Sequence, residues 1–530
     1  MTLIRPLRKW NVLLVILIIL LAFTTLFRYS PFHWKEENKV QVQSNEAKRK
    51  VIILLIDSLL AEPMEYLLRT GELPAIAFLM QHGHYQREMI SSFPTMSVTI
   101  DSTLITGAYS DKHKIPGLLW FDAKEQRMVD YGDGLRVAWK PGVFQWFWDS
   151  FYQLNQVHLS KDTATIHEEL SAKGFTSGSI NGLLYRGDKT HHFGMKGISN
   201  VTVKGPDVLA LGALARVTSD KLPTSPVQSL GMNNNYSIQS VISLIKQRQL
   251  PDLTLAYFPD MDGKLHKEGP THLEGIKQVD KQLQQLLNSF GKWENALAEH
   301  VIILMGDSGV TATVRRGEKP LIDVEYLLSG FTCFRMGEKR RDSHDIAIAV
   351  NGRMAYVYSL SSRAPVPLLV DRLNRDQRID HIAWRENEWI HVVQGTRHMS
   401  FRSGSEIMDH YGKRWDIRGD ADCLGLIIDS RERTVTFTDN PDALSRLESA
   451  FYSHEGEFLI VSAKPGMEIS ADGAPNHPGG GNHGSLHATD SLFPFLIAPK
   501  ENTPAPPERV VDVKNYVLSL IEIEKGMKKE

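Results

Sequence analysis

Three short runs of uninterrupted apolar residues, each leading into an acid, constrain this 530-residue chain more than any other feature. Val51–Ile56 ends at Asp57, Leu253–Phe258 is followed by Asp260 and Asp262, and Val301–Met305 is followed by Gly306 and Asp307. Such runs, rich in Val, Ile and Leu, fit strands buried on both faces of a parallel sheet. Helical patterns lie between them, as in 276–297, where Val279, Leu283, Leu286 and Leu287 recur at helical spacing. The alternation predicts an α/β, doubly wound core. In open α/β sheets ligands bind outside the carboxyl ends of the strands. Acids from three strands therefore converge on one crevice, where like charges repel unless a cation is present. Taken singly, each acid is also an ordinary helix N-cap.

Histidines and hydroxyls add to this pattern. Asp262 is followed by His266 and then Gly269-Pro270, and His483 stands in Pro478-Gly-Gly-Gly-Asn-His483-Gly. Imidazole with carboxylate suits Zn²⁺ or Mn²⁺, and the glycines permit close backbone approach to a metal or substrate. Asp260 is an alternative to Asp262. His477 and His487 have no comparable support and are read as outer or surface residues. The stretch Ser91-Ser-Phe-Pro-Thr95-Met-Ser97, running on to Thr106-Gly107, offers hydroxyls near a helix start. One of them is a candidate metal-activated nucleophile where phosphate oxygens are welcome; a plain helix cap is the alternative.

Phe93-Pro94-Thr95-Met96-Ser97, Thr106-Gly107-x-Tyr109-x₃-His113, Asp262-x₃-His266-x₂-Gly-Pro, Gly306-Asp307-Ser308-Gly309 and Asn482-His483-Gly484 occur in this order. Together with Val51–Asp57 they resemble the type I phosphodiesterase/nucleotide pyrophosphatase branch of the alkaline phosphatase superfamily. The resemblance covers roughly 51–330 and 475–500. It implies an alkaline-phosphatase-like core with a mostly parallel sheet between helices, and two divalent metal ions. Asp262, His266 and His483 would hold one ion, usually zinc. Asp57, Asp307 and the nucleophile, which aligns with Ser97, would hold the other.

The implied reaction is hydrolysis of a phosphodiester or pyrophosphate bond through a covalent phosphoryl- or nucleotidyl-serine. The sequence departs from the family at three places. Serine stands at 97 where threonine is usual, isoleucine at 100 where asparagine is usual, and serine at 308 where histidine is usual. The Asp57/Asp307 site would then be mostly oxygen, favouring Mn²⁺ or Mg²⁺. The alternatives are a phosphomonoesterase, phosphonate hydrolase or headgroup transferase on the same fold, or a non-catalytic metal-binding descendant.

Trp10 to Phe27 runs for 18 residues without a charge, about 27 Å as a helix, near the thickness of a bilayer core. Arg5, Arg8 and Lys9 precede it, which predicts a signal anchor with residues 1–9 cytoplasmic and the rest outside the cytoplasm. A cleaved signal peptide is the alternative. Residues 28–50 read as a polar tether, 51–320 and 456–530 as the catalytic core, and 321–455 as an inserted, strand-rich region.

With Lys+Arg 60 against Asp+Glu 62, net charge −2, the chain lacks the basic surplus of a nucleic-acid binder. The expected partners are a phosphate-ester substrate and the lipid bilayer; no protein partner can be inferred. The two cysteines, Cys333 and Cys423, exclude a disulfide framework, and whether they pair is open. Aromatics at Trp120, Phe121, Trp139, Phe144, Trp146, Phe147 and Trp148 line a candidate cap segment or pack in a core.

Overall fold

The computed structural model describes residues 49–132, 143–193, 201–215, 222, 224, 229 and 231–526. The expected anchor at 10–27 and most of the tether lie outside the described residues. Among the described residues no helix is long and apolar enough to cross a membrane.

Seven strands form the first sheet, in the order His84–Ile90, Leu492–Ala498, His300–Met305, Lys50–Ile56, Leu253–Phe258, Ser177–Ile180 and Val208–Ala210. Five neighbouring strands, from His300–Met305 to Val208–Ala210, pair in parallel. Leu492–Ala498 runs antiparallel between His300–Met305 and His84–Ile90. The three acid-ending runs are thus adjacent strands, with Leu55 opposite both Met305 and Tyr257.

The absence of apolar/polar alternation in these runs has a direct cause. Ile52, Leu54 and Ile56 enter one apolar layer with Met64, Ile76, Val241 and Leu283, from helices on that face. Val51, Ile53 and Leu55 enter the opposite layer with Ile100, Leu104, Leu170 and Val513. Each fully buried aliphatic side chain contributes about 1.5–3 kcal/mol by leaving water. Three layers, helix–sheet–helix, result. The helical pattern at 276–297 resolves into two helices, Glu274–Asn288 and Trp293–Glu299. Gly291, at φ +81°, turns the chain between them.

A second, ten-stranded and mostly antiparallel sheet is built from residues 333–463. The helices Val366–Leu373 and Ala443–Phe451 supply apolar residues to its two clusters. Phe458–Ala463 pairs with Met354–Ser359 and Ile379–Glu386 within this sheet. The strand-rich unit therefore runs past 455, the boundary suggested by the sequence. An all-apolar strand reads alike in either sheet, so its pairing partners decide. Cys333 and Cys423 are free thiols. Trp120 and Phe121 are buried, Trp120 edge-on to His158 and Phe121 to Phe334. Trp139 lies outside the described residues, as do the side chains of Phe144 and Phe147.

Candidate active site

Parallel pairing in register puts Asp57 and Asp307 side by side, two residues beyond the paired Leu55 and Met305. Asp57 is 6% exposed and Asp307 fully buried. Asp307 Oδ1 accepts from the backbone N–H groups of Ser58 (2.8 Å) and Ser308 (2.7 Å), whereas Oδ2 has no hydrogen-bond partner. Asp57 Oδ2 accepts from the Tyr257 hydroxyl, and Oδ1 lies 3.4 Å from Ser97 Oγ. Burial, then the neighbouring charges of Asp307 and Asp262, push the Asp57 carboxyl well above the usual carboxylate range. Burial does the same, less strongly, to Asp307.

Ser97 opens the helix Ser97–Thr106. It is the one residue of 91–106 that is not buried, so its hydroxyl is the one this segment presents to a ligand. Thr95 is committed elsewhere. Its Oγ1 accepts from Gly484 N–H (2.7 Å) and its carbonyl accepts from His483 Nδ1 (2.5 Å). Ile100 is fully buried in the apolar layer under the sheet.

The second cluster is Asp262, His266 and His483, whose ligand atoms all lie within 4.8 Å of one another. Asp262 opens the short helix Asp262–Glu268, which brings His266 round one turn later. His266 Nε2 is 3.3 Å and His483 Nε2 3.4 Å from Asp262 Oδ1. Both imidazoles use Nδ1 on a backbone carbonyl, His266 on Gly481 (2.8 Å) and His483 on Thr95. This outer hydrogen bond is what orients a metal-ligating histidine and leaves Nε2 free for the ion. Burial alone would raise the Asp262 carboxyl; His266 and His483 outweigh it and hold the group well below the usual range. His266 is the reciprocal case, pushed up to about 9 because the Asp262 charge outweighs burial.

Donor chemistry and orphaned atoms fit divalent cations. One cluster offers two imidazole nitrogens and a carboxylate, a set suited to zinc. The other offers carboxylates and a hydroxyl, with a buried Asp307 oxygen that nothing satisfies. Ser308, where the family carries a histidine, is fully buried, and its Oγ has no partner. Asp260 lies apart: its carboxylate accepts from Asn234 N–H (3.2 Å), and Asn234 Oδ1 accepts from its own N–H (3.0 Å).

Four residues absent from the sequence reading matter here. Ser58, in the left-handed region at φ +60°, bridges the clusters by its N–H to Asp307 and its hydroxyl to Asp262 Oδ1 (2.9 Å). Tyr257 reaches Asp57 because its strand pairs alongside. Glu468, fully buried, accepts from Asn482 Nδ2 (2.7 Å), and Asn482 Oδ1 accepts from His483 N–H (2.9 Å). Arg353, at the turn between two strands of the second sheet, donates its N–H to the His483 carbonyl (2.8 Å). His477, read from sequence as an outer or surface residue, packs against His266 with ring centres 4.2 Å apart and planes tilted by 31°. Only Tyr257 carried a signal, its place near the end of an acid-ending run.

The chain is similar to known proteins at the level of family and of fold. The family model of type I phosphodiesterase / nucleotide pyrophosphatase matches residues 51–364. No curated protein sequence matches the chain. Among solved structures, an inactive variant of murine ectonucleotide pyrophosphatase / phosphodiesterase 5 in complex with AMP is similar at TM-score 0.54 and 13% identity. That match covers 90% of this chain and 95% of that one. The human counterpart is similar at TM-score 0.53 and 14% identity, covering 89% and 95%. Phosphonoacetate hydrolase from Sinorhizobium meliloti, in complex with phosphonoformate, is similar at TM-score 0.55 and 13% identity, covering 89% and 96%. At such identities the likeness is one of fold. The family match spans more than half of the chain, which therefore belongs to the type I phosphodiesterase / nucleotide pyrophosphatase family of phosphoric ester hydrolases.

Proposed function

We propose that this protein hydrolyses a phosphodiester or pyrophosphate bond with two divalent metal ions, using Ser97 as nucleophile. The observation that carries the reading is the half-exposed Ser97 hydroxyl 3.4 Å from Asp57, beside a cluster of Asp262, His266 and His483. Asp262, His266 and His483 would hold one ion, and Asp57, Asp307 and Ser97 the other. Ions held there would lower the pKa of the attacking hydroxyl and neutralise charge on the phosphoryl oxygens. Asp57 orients Ser97 Oγ, and Tyr257 and Ser58 hold the carboxylates in place. Ser97 Oγ then forms a bond to phosphorus as the leaving-group oxygen departs. Water subsequently cleaves the phosphoryl- or nucleotidyl-serine and restores the hydroxyl.

The AMP complex of the murine neighbour supports a nucleotide substrate, and the phosphonoacetate hydrolase neighbour supports a phosphonate as the second reading. The charge-free run at 10–27 supports a membrane anchor with the catalytic core outside the cytoplasm. The strand-rich unit after 320 reads as an insertion in the core. The test takes the full chain, stripped of metal and reloaded with Zn²⁺, Mn²⁺ or Mg²⁺, on a chromogenic phosphodiester, its monoester and phosphonoacetate. Metal-dependent diester cleavage is expected, and Ser97→Ala should abolish it with the Asp262, His266 and His483 ion retained. Unchanged turnover in Ser97→Ala would remove Ser97 from the mechanism. Preference for phosphonoacetate would favour the second reading.

A further inference from the structure

Asp101 is a buried carboxyl that the reaction described above leaves unused. It lies four residues after Ser97 in the helix Ser97–Thr106, on the same face one turn on. It is 3% exposed, and its Oδ1 has no hydrogen-bond partner. Burial, then the charge of Asp307, raises the Asp101 carboxyl well above the usual carboxylate range. Asp101 in turn acts on Asp57 and on Tyr257. Stranding a carboxylate this way is costly unless a positive charge compensates.

Two neighbouring groups point to the same missing partner: Asp307 Oδ2 and Ser308 Oγ are fully buried and equally unsatisfied. Ile100, at the position where the family carries asparagine, is in the apolar layer.

Resting on the two-metal reading above, we propose that Asp101 is an outer, positioning carboxylate of the Asp57/Asp307 ion site that compensates for the imidazole missing at Ser308. Asp57, Asp101 and Asp307 are not among the groups whose ligand atoms all fall within 4.8 Å of one another. Asp101 is assigned as a positioning residue that would hold a water of the ion rather than the ion itself. Ions that keep several waters suit such a site, which selects Mg²⁺ or Mn²⁺ over Zn²⁺ there, while the imidazole cluster selects Zn²⁺.

Metal binding tests this without reference to turnover. Equilibrium dialysis and calorimetric titration of the metal-free full chain with ZnCl₂ and MnCl₂ should find two sites, one preferring each ion. Asp101→Asn should weaken the Mn²⁺ site about 10–100-fold, the usual cost of losing an outer partner, and leave the Zn²⁺ site unchanged. His266→Ala should do the reverse. Metal-free Asp101→Asn should melt no lower than metal-free wild type, because burial already favours the neutral carboxyl there; this separates loss of the ion from misfolding. Ser308→His in the Asp101→Asn background should restore the second ion and turn its preference toward Zn²⁺. Two sites of unchanged affinity in Asp101→Asn, or a single ion in wild type, would overturn the assignment. Two ions with no ester hydrolysis would instead overturn the proposed function and leave Asp101 in place.

Discussion

Arg353 and Asp490 form an ion pair in which both side chains are fully buried, with Nη1 2.5 Å from Oδ1. The guanidinium also donates to Thr311 Oγ1 (2.8 Å) and to the carbonyls of Met467 (3.1 Å) and Ala463 (3.0 Å). Asp490 accepts in addition from Ser485 N–H (2.9 Å) and Oγ (2.7 Å). This knot ties the second sheet to the loop that carries His483. Arg353→Met removes the cation and leaves a fully buried carboxylate without its counter-charge. Breaking a buried pair in this way costs about 3–5 kcal/mol. At roughly 2.1 cal/mol/K per residue, 530 residues have an unfolding entropy of about 1.1 kcal/mol/K. The expected fall in Tm is therefore roughly 3–5 °C if the chain melts in one transition, and larger if the second sheet melts by itself. Adding Asp490→Asn removes the stranded charge and should recover at least about 1 kcal/mol. Scanning calorimetry of wild type, both single variants and the double variant closes the cycle. A single variant within a degree of wild type, or a double variant no better than Arg353→Met, would refute the reasoning.

Two further outcomes follow from the site. In the metal-free protein His266 has its pKa raised from 6.5 to about 9 by Asp262. Its contribution to stability is therefore complete below about pH 6.5 and is lost as pH rises through about 9. The Tm difference between wild type and His266→Gln should shrink over that window, and a difference constant from about pH 6 to 10 would contradict the pairing. Gly352 has φ +65°, and a Cβ there would lie 2.1 Å from the His483 carbonyl. Gly352→Ala should cost about 1–3 kcal/mol in urea unfolding and weaken Zn²⁺ binding; undiminished Zn²⁺ affinity would show that this turn does not position His483.

Much of the site was legible because it follows from local pattern. Continuous burial on two faces leaves strands with no alternation, and an acid placed directly after such a strand lies at its carboxyl end. Asp57, Asp262 and Asp307 could be read that way, and His266 from its one-turn spacing to Asp262. His483 carried a glycine-rich context but no position. Thr95 and Ser97 were alike as hydroxyls near a helix start; burial separated them, committing one to the His483 loop and leaving the other at the surface of the crevice.

The sequence by itself determined the α/β core, its acid-ending strands and the residue types able to bind cations. Each of these depends on hydrophobic periodicity and on neighbours a few residues away. Tertiary structure decided which of those residues meet. The clusters join through Ser58, whose left-handed backbone no local pattern announces, and Tyr257 touches Asp57 through the register of two strands 200 positions apart. Arg353 holds the His483 loop from far along the chain, Glu468 holds it by a buried side-chain hydrogen bond, and Asp101 Oδ1 is buried without a partner. Register, long-range pairing and the absence of a partner are properties of the packed chain, so they have no signature in the order of its residues.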